Sequence, residues 1–119
     1  MARYLVQAAY TSDAWAALVR EPQDRTRLVR TMAENVGGRL ESFYVTFGDY
    51  DAVAIVELPD NIAAAAVSIA ASAGGGIKAI RTTPLLTLEE TVEALTKAQA
   101  LEYQPPGYDA GTQTPIKAG

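Results

Sequence analysis

Trp15, Tyr50, Asp51 and Arg81 are the side chains whose types and spacing could bind a ligand in this chain. Tyr50 and Asp51 set a phenol beside a carboxylate at the mouth of two strand-like runs, a pair able to orient a polar molecule. A structural role fits the same pair: Asp51 would bond Thr46 or the turn backbone, as Asx residues near turns do, and Tyr50 would pack on Phe47. Trp15 can wall or cover a pocket, or cap the edge of a core, as a lone Trp usually does. Arg81, beside Thr82 and Thr83, could grip a carboxylate through two parallel hydrogen bonds. Its plainer role is a surface or intersubunit ion pair. Arg20, Arg25, Arg27 and Arg30 are interleaved with Glu21, Asp24 and Glu34, the pattern of a solvated helix face. No pair of carboxylates is spaced for acid–base work, so no catalytic residue is assigned.

Composition narrows the chemistry further. The chain has 119 residues, 49% hydrophobic and 20% charged, with a net charge of −4. That is one domain of ordinary globular balance. Cysteine and histidine are both absent. Disulfides, thiol nucleophiles and thiolate or imidazole metal sites are thereby excluded. No transition metal and no cofactor is expected. The negative charge argues against a nucleic-acid partner. No apolar run is long enough to span a membrane. Met1-Ala2-Arg3-Tyr4 lacks a long apolar core behind its basic residue, so no secretory leader is expected, and the expected location is cytoplasmic.

The elements that must hold these side chains follow from periodicity. Residues 4–10 read as a strand. Thr11-Ser12-Asp13 offers N-cap chemistry for a short helical turn over 14–19. Pro22 then opens a main helix over 22–36, with Leu28, Val29, Met32, Ala33 and Val36 on one stripe. Gly37-Gly38 ends it. Strands are predicted over 39–47 and 50–58. Pro59-Asp60 opens an alanine-rich helix over 61–73, which Gly74-Gly75-Gly76 ends. These glycines close a helix rather than open one, so they are not a phosphate loop. A fourth strand covers 77–83. After Pro84, Thr87-Leu88-Glu89-Glu90 is a capping box for a last helix, with Leu88, Val92 and Leu95 on one side and Glu93/Lys97 as an i,i+4 pair. Residues 1–101 form the domain, and 102–119 a Pro/Gly-rich tail expected to be flexible. The order β-α-β-β-α-β is the split β-α-β, ferredoxin-like plan, an α+β fold with a four-stranded antiparallel sheet and an added C-terminal helix.

Gly48-Asp49 reads as a two-residue hairpin loop, which requires a positive φ at Gly48. Phe47 then faces Tyr50, and the pairing fixes two faces. Phe43, Val45, Phe47, Tyr50, Ala52, Ala54 and Val56 lie beneath the helices. Leu40, Ser42, Tyr44, Thr46, Asp51, Val53, Ile55 and Glu57 lie on the open side. Leu40, Tyr44, Val53 and Ile55 make that open side apolar enough for an interface. Self-association through the sheet is the expectation. The alternative is that the terminal helix folds back over the same face.

The stretch Gly37-Gly38-Arg39-Leu40 … Phe43-Tyr44-Val45-Thr46-Phe47-Gly48-Asp49-Tyr50-Asp51-Ala52-Val53 resembles the GYD domain family, named for a Gly-Tyr-Asp signature at a hairpin. The resemblance spans roughly residues 3 to 99. A second Gly107-Tyr108-Asp109 lies in the tail and is read as coincidence. The segment Thr11-Ser12-Asp13-Ala14-Trp15 departs from the family pattern, which carries a glycine soon after the threonine. The resemblance implies a dimeric α/β-barrel arrangement, in which two such sheets face each other. It implies no particular activity, because a fold does not supply one.

Two functions remain open on these grounds. One is a homo-oligomeric module that binds a small molecule or a partner without catalysis, using Trp15, Tyr50, Asp51 and Arg81. The other is a cofactor-independent enzyme, oxygenase- or isomerase-like, acting on a small hydrophobic or aromatic substrate. The missing His and Cys favour the first.

Overall fold

Val53, Ile55 and Glu57 alternate in sequence with Ala52, Ala54, Val56 and Leu58, and the fold buries the second set and leaves the first half-exposed. A computed structural model describes residues 1–109 and 114–115. The elements run β1 (Ala2–Tyr10), α1 (Ser12–Arg20), α2 (Thr26–Asn35), β2 (Arg39–Val45), β3 (Ala52–Leu58), α3 (Asn61–Ala73), β4 (Ile77–Leu85) and α4 (Leu88–Ala98). β5 (Tyr108–Asp109) and β6 (Thr114–Pro115) pair as a small antiparallel ladder. The remainder of the tail, residues 110–113 and 116–119, lies outside the described residues, and with it part of the expected flexible segment. Among the described residues no helix is long and apolar enough to cross a membrane.

The chain divides into two units, Met1–Leu85 and Leu86–Gly119. In the first, the four strands form one antiparallel sheet in the order β2-β3-β1-β4. This is the α+β, ferredoxin-like arrangement that the element order predicts. Its core joins Tyr4, Ala54, Val56 and Leu58 of the sheet to Ala33 of α2 and Ala63 and Ala64 of α3. Both helices therefore cover one face. The single polar atom that Tyr4 carries into this core is satisfied, its hydroxyl donating to Asn61 Oδ1 at 2.7 Å. In the second unit the capping box forms as read: Thr87 Oγ1 accepts from the Glu90 amide, and Glu90 Oε1 from the Thr87 amide.

Local differences from the sequence reading have identifiable causes. The break at Pro22 is wider than expected. α1 runs the full Ser12–Arg20, capped by Thr11 Oγ1, and α2 starts only at Thr26, where Asp24 Oδ1 accepts the first amide at 2.8 Å. β4 continues through Pro84 to Leu85 because it is an edge strand, where a missing N–H leaves no ladder bond unmade.

The hairpin differs most. Val45↔Ala52, Tyr44↔Val53, Phe43↔Ala54 and Ser42↔Ile55 pair in the predicted register. The strands nevertheless stop at Val45 and Ala52, and residues 46–51 form a wider loop. The reason lies in β1. The Asp51 amide donates to Ala8 O at 2.8 Å, so Asp51 is drawn into the central strand pair rather than into a tight turn. A wide loop needs no left-handed residue. Among the described residues the positive-φ glycines are Gly37, Gly75 and Gly107, and the expectation of a positive φ at Gly48 is corrected accordingly. Phe47, placed on the covered face by the tight-turn reading, is fully exposed and does not pack on Tyr50.

A second correction concerns Leu40. The register shifts between Leu40 and Ser42, so Glu41 is a bulge and Leu40 pairs with Val56 on the covered face. The open face therefore carries Leu5, Tyr44, Val53 and Ile55, without Leu40. The bulge also aims Glu41 at Arg3. Arg3 Nη2 reaches Glu41 Oε1 at 2.7 Å and Glu57 Oε1 at 3.1 Å, and Arg39 Nε reaches Glu57 Oε2 at 2.9 Å.

This network makes stability pH-dependent. The Arg39 hydrogen bond holds the Glu57 carboxyl below its ordinary value of 4.5; desolvation opposes it, and the Arg3 hydrogen bond adds to the lowering. A carboxyl depressed in the fold stabilises it above the unfolded value and loses that contribution as pH falls through the folded value. Glu57→Gln is therefore expected to melt below the parent at neutral pH, with the two curves converging on acidification below pH 4.5. Parallel curves at every pH would contradict this.

Candidate functional site

Alanine governs the space between sheet and helices. Ala8, Ala52 and Ala54 face the helices from the middle of the sheet, and Ala14 and Ala17 of α1 and Ala70 and Ala71 of α3 face back. Such short side chains cannot fill the gap between two layers, and interiors rarely leave voids of this kind unfilled. The result is a cleft of about 420 Å³, walled also by Val6, Leu28, Val29, Met32, Phe43, Val67, Ile77 and Ile80. Leu28 and Arg25 on its wall are exposed, so it opens to solvent. Its polar side chains are Tyr10, Gln23 and Arg25.

A second hollow of similar size adjoins it, lined by Trp15, Pro22, Asp24, Thr26 and Val45. Both hollows share Tyr10, Leu18, Gln23, Arg25 and Phe43. The three polar groups thus sit where the two meet. Gln23 and Arg25 are placed there by the irregular stretch between α1 and α2 that Pro22 creates. Tyr10 has the same parity along β1 as Tyr4 and Val6, and so points to the helix side.

Asp51 organises the rim. Its Oδ2 accepts from the Tyr10 amide at 2.9 Å and from Trp15 Nε1–H at 3.3 Å. The two rings stack edge to face with centroids 5.3 Å apart. One carboxylate thereby ties the end of β1 and the first turns of α1 to the start of β3. Burial pushes the Tyr10 phenol above its ordinary value of 10.0; Arg25 opposes that and Asp51 adds to it. At neutral pH Tyr10 is a neutral donor.

The structure brings together two of the four residues singled out from sequence. Trp15 lines the second hollow and bonds Asp51. Tyr50 is half-buried in the loop, where its carbonyl accepts from Thr46 Oγ1 at 2.6 Å. The structural role expected of Asp51 is present in part, since its carbonyl accepts the Thr46 amide at 2.7 Å, while its carboxylate turns to Tyr10 and Trp15 instead. Arg81 lies elsewhere. Thr82 meets Ser68 of α3 at 2.9 Å, so the neighbouring Arg81, paired with Gln7, projects from the open face. Tyr10, Gln23 and Arg25 were not singled out. Arg25 reads as part of a solvated helical stripe only while the helix is taken to begin at Pro22.

Asp51→Ala is expected to destabilise the first unit by about 2 kcal/mol, because it leaves a half-buried amide and an indole N–H without their acceptor. Asp51→Asn should cost less than half as much, since its carbonyl can still accept. Trp15 is the single tryptophan. Its emission should shift to the red in Asp51→Ala before global unfolding. Urea titrations followed by that emission check both. Equal midpoints for Asp51→Ala and the parent would remove Asp51 from this role.

A family model described as the GYD domain matches residues 4–95, which covers β1 through most of α4. No curated protein and no solved structure matches the chain.

Proposed function

The chain belongs to the GYD domain family, and from that premise we propose that it is a homo-oligomeric module that binds a small apolar molecule without transforming it. The cleft between sheet and helices carries this reading. Ligand sites are typically hollows of roughly 300–1,000 Å³, mostly apolar, with a few convergent polar groups. The cleft has that size, walls of Val, Leu, Ile, Met, Ala and Phe, and three polar side chains at one end. Trp15, held by Asp51, closes the rim beside them.

Catalysis by a cofactor-independent enzyme finds less support. No carboxylate lines the cleft between sheet and helices, and Asp51 is engaged by two donors outside it. A general base needs free reach to the proton it takes.

Self-association rests on the open face. Leu5, Tyr44, Val53 and Ile55 form a patch there, with Tyr44 67% exposed. Arg3, Arg39, Glu41 and Glu57 border it with both signs of charge, which suits the same surface on a second copy. Arg81 on the same face belongs with that interface in this reading.

Titration with phenylnaphthylamine, an uncharged fluorophore with an apolar ring system, tests the binding function. Saturable fluorescence enhancement is expected from the folded parent. Ala17→Trp, which places an indole in the cleft from α1, should abolish it while leaving the melting temperature within a few degrees. No saturable binding to the parent, or equal binding to Ala17→Trp, would contradict the proposal.

A further inference from the structure

We infer that the molecule held in the cleft is an apolar acid, its anionic group seated against Arg25 with Tyr10 and Gln23 beside it. This rests on the cleft being a binding site and adds the chemical class of the ligand. Arg25 is the one cationic side chain on the walls of either hollow among the described residues. Two other arginines of the same unit, Arg3 and Arg39, have carboxylate partners within 4 Å, whereas Arg25 has none among the described residues. Its hydrogen bond goes to Gln23 Oε1 at 3.2 Å. A guanidinium has several N–H donors, so most remain for a ligand.

Tyr10 completes the arrangement. Its hydroxyl has no protein partner among the described hydrogen bonds, and it lies close enough to Arg25 to feel that charge. A neutral phenol and a guanidinium at one end of an apolar hollow offer an O–H and several N–H donors, which suits an acceptor-rich anion. Apolar walls also strengthen the attraction relative to open water. The negative groups nearby are already bonded. Asp24, on the second hollow, accepts the Thr26 amide at 2.8 Å, and Asp51 accepts from Tyr10 N and Trp15. Neither forms an ion pair with Arg25 among the described residues.

Two fluorophores separate this inference from the binding function beneath it. Anilinonaphthalene sulfonate and phenylnaphthylamine share one aromatic skeleton, and the first adds an anionic group. The parent is expected to bind the sulfonate about tenfold more tightly, a difference ordinary for a partly exposed charge-assisted contact. Arg25→Gln should remove that preference by weakening sulfonate binding about tenfold, and Arg25→Lys should keep part of it. Added salt should shrink the preference in the parent. Equal affinities of the parent for both probes would overturn the inference and leave the cleft intact as an apolar site. So would an unchanged sulfonate affinity in Arg25→Gln, or sulfonate binding that persists in Ala17→Trp. Binding of neither probe would overturn both readings.

Discussion

Gly38→Ala is expected to destabilise the fold by about 3 kcal/mol, the upper range for an overpacked site. A Cβ at Gly38 would overlap the Glu57 carbonyl oxygen and come within 2.7 Å of Leu58 Cδ2. The first of these is backbone of the neighbouring strand, which cannot rotate aside. Relief would require β2 to part from β3 where Arg39 pairs with Glu57, and Leu58 is the most deeply buried large side chain of the core. The preceding Gly37 also has a reason to be glycine. Its φ is +84°, and the Gly37 and Gly38 amides close α2 on Glu34 O and Ala33 O at 2.9 Å each. Gly48→Ala is the matched control. Nothing lies within 4 Å of a Cβ there, and its φ is not positive, so the change should stay within about 0.5 kcal/mol. Urea denaturation of the three proteins decides it. Equal losses at Gly38 and Gly48 would mean that the hairpin glycine, and not the strand entry, fixes the fold.

Val53→Lys should convert the proposed assembly to monomers. Val53 sits mid-face on the open side of the sheet, opposite Gln7 and Tyr44. If a second copy covers that face, an unpaired ammonium would be buried at its centre. Such a charge costs about 3 kcal/mol or more, roughly a hundredfold in Kd. In the separated chain the lysine can extend its head into water, so the fold itself should survive. Light scattering at micromolar concentration should give at least a dimer for the parent and a monomer for Val53→Lys, with unchanged circular dichroism. A parent that is monomeric, or a variant that stays assembled, would exclude this face as the interface.

Much of the fold was legible because local and global signals agree. Helical capping at Thr87 and Glu90, the Asp60 start and Gly74 stop of α3, and the apolar stripe of α2 each reflect short-range chemistry. The β2–β3 register, counted back from the Gly48-Asp49 pair, was legible as far as Ser42. It failed at Leu40 because a bulge is a one-residue insertion that alternation cannot register. An apolar Leu40 three residues before Phe43, both covered, was the available sign. The hairpin was misread because a Gly-Asp pair has tight-turn chemistry, and the competing pull of β1 on Asp51 is a long-range contact between residues distant in sequence.

The site was less legible than the fold. Trp15 and Asp51 do meet, but across thirty-six positions of sequence separation. The cleft arises from alanines spread over β1, α1, β3 and α3, each of which reads locally as a good helix former or a small strand residue. Only their convergence leaves a hollow. Arg25 was hidden by its neighbours, since the charge pattern around it is that of a wet helix, and its place on the cleft wall depends on where Pro22 lets that helix begin.

Amide chemical shifts of the isotope-labelled protein, recorded as phenylnaphthylamine is added, address the binding function most directly. Binding in the cleft should move Val6, Met32, Ala54, Val67 and Ile80, which belong to five different elements and all line that space. Shifts confined to Tyr44, Val53 and Ile55 on the opposite face, or no shifts at all, would contradict it.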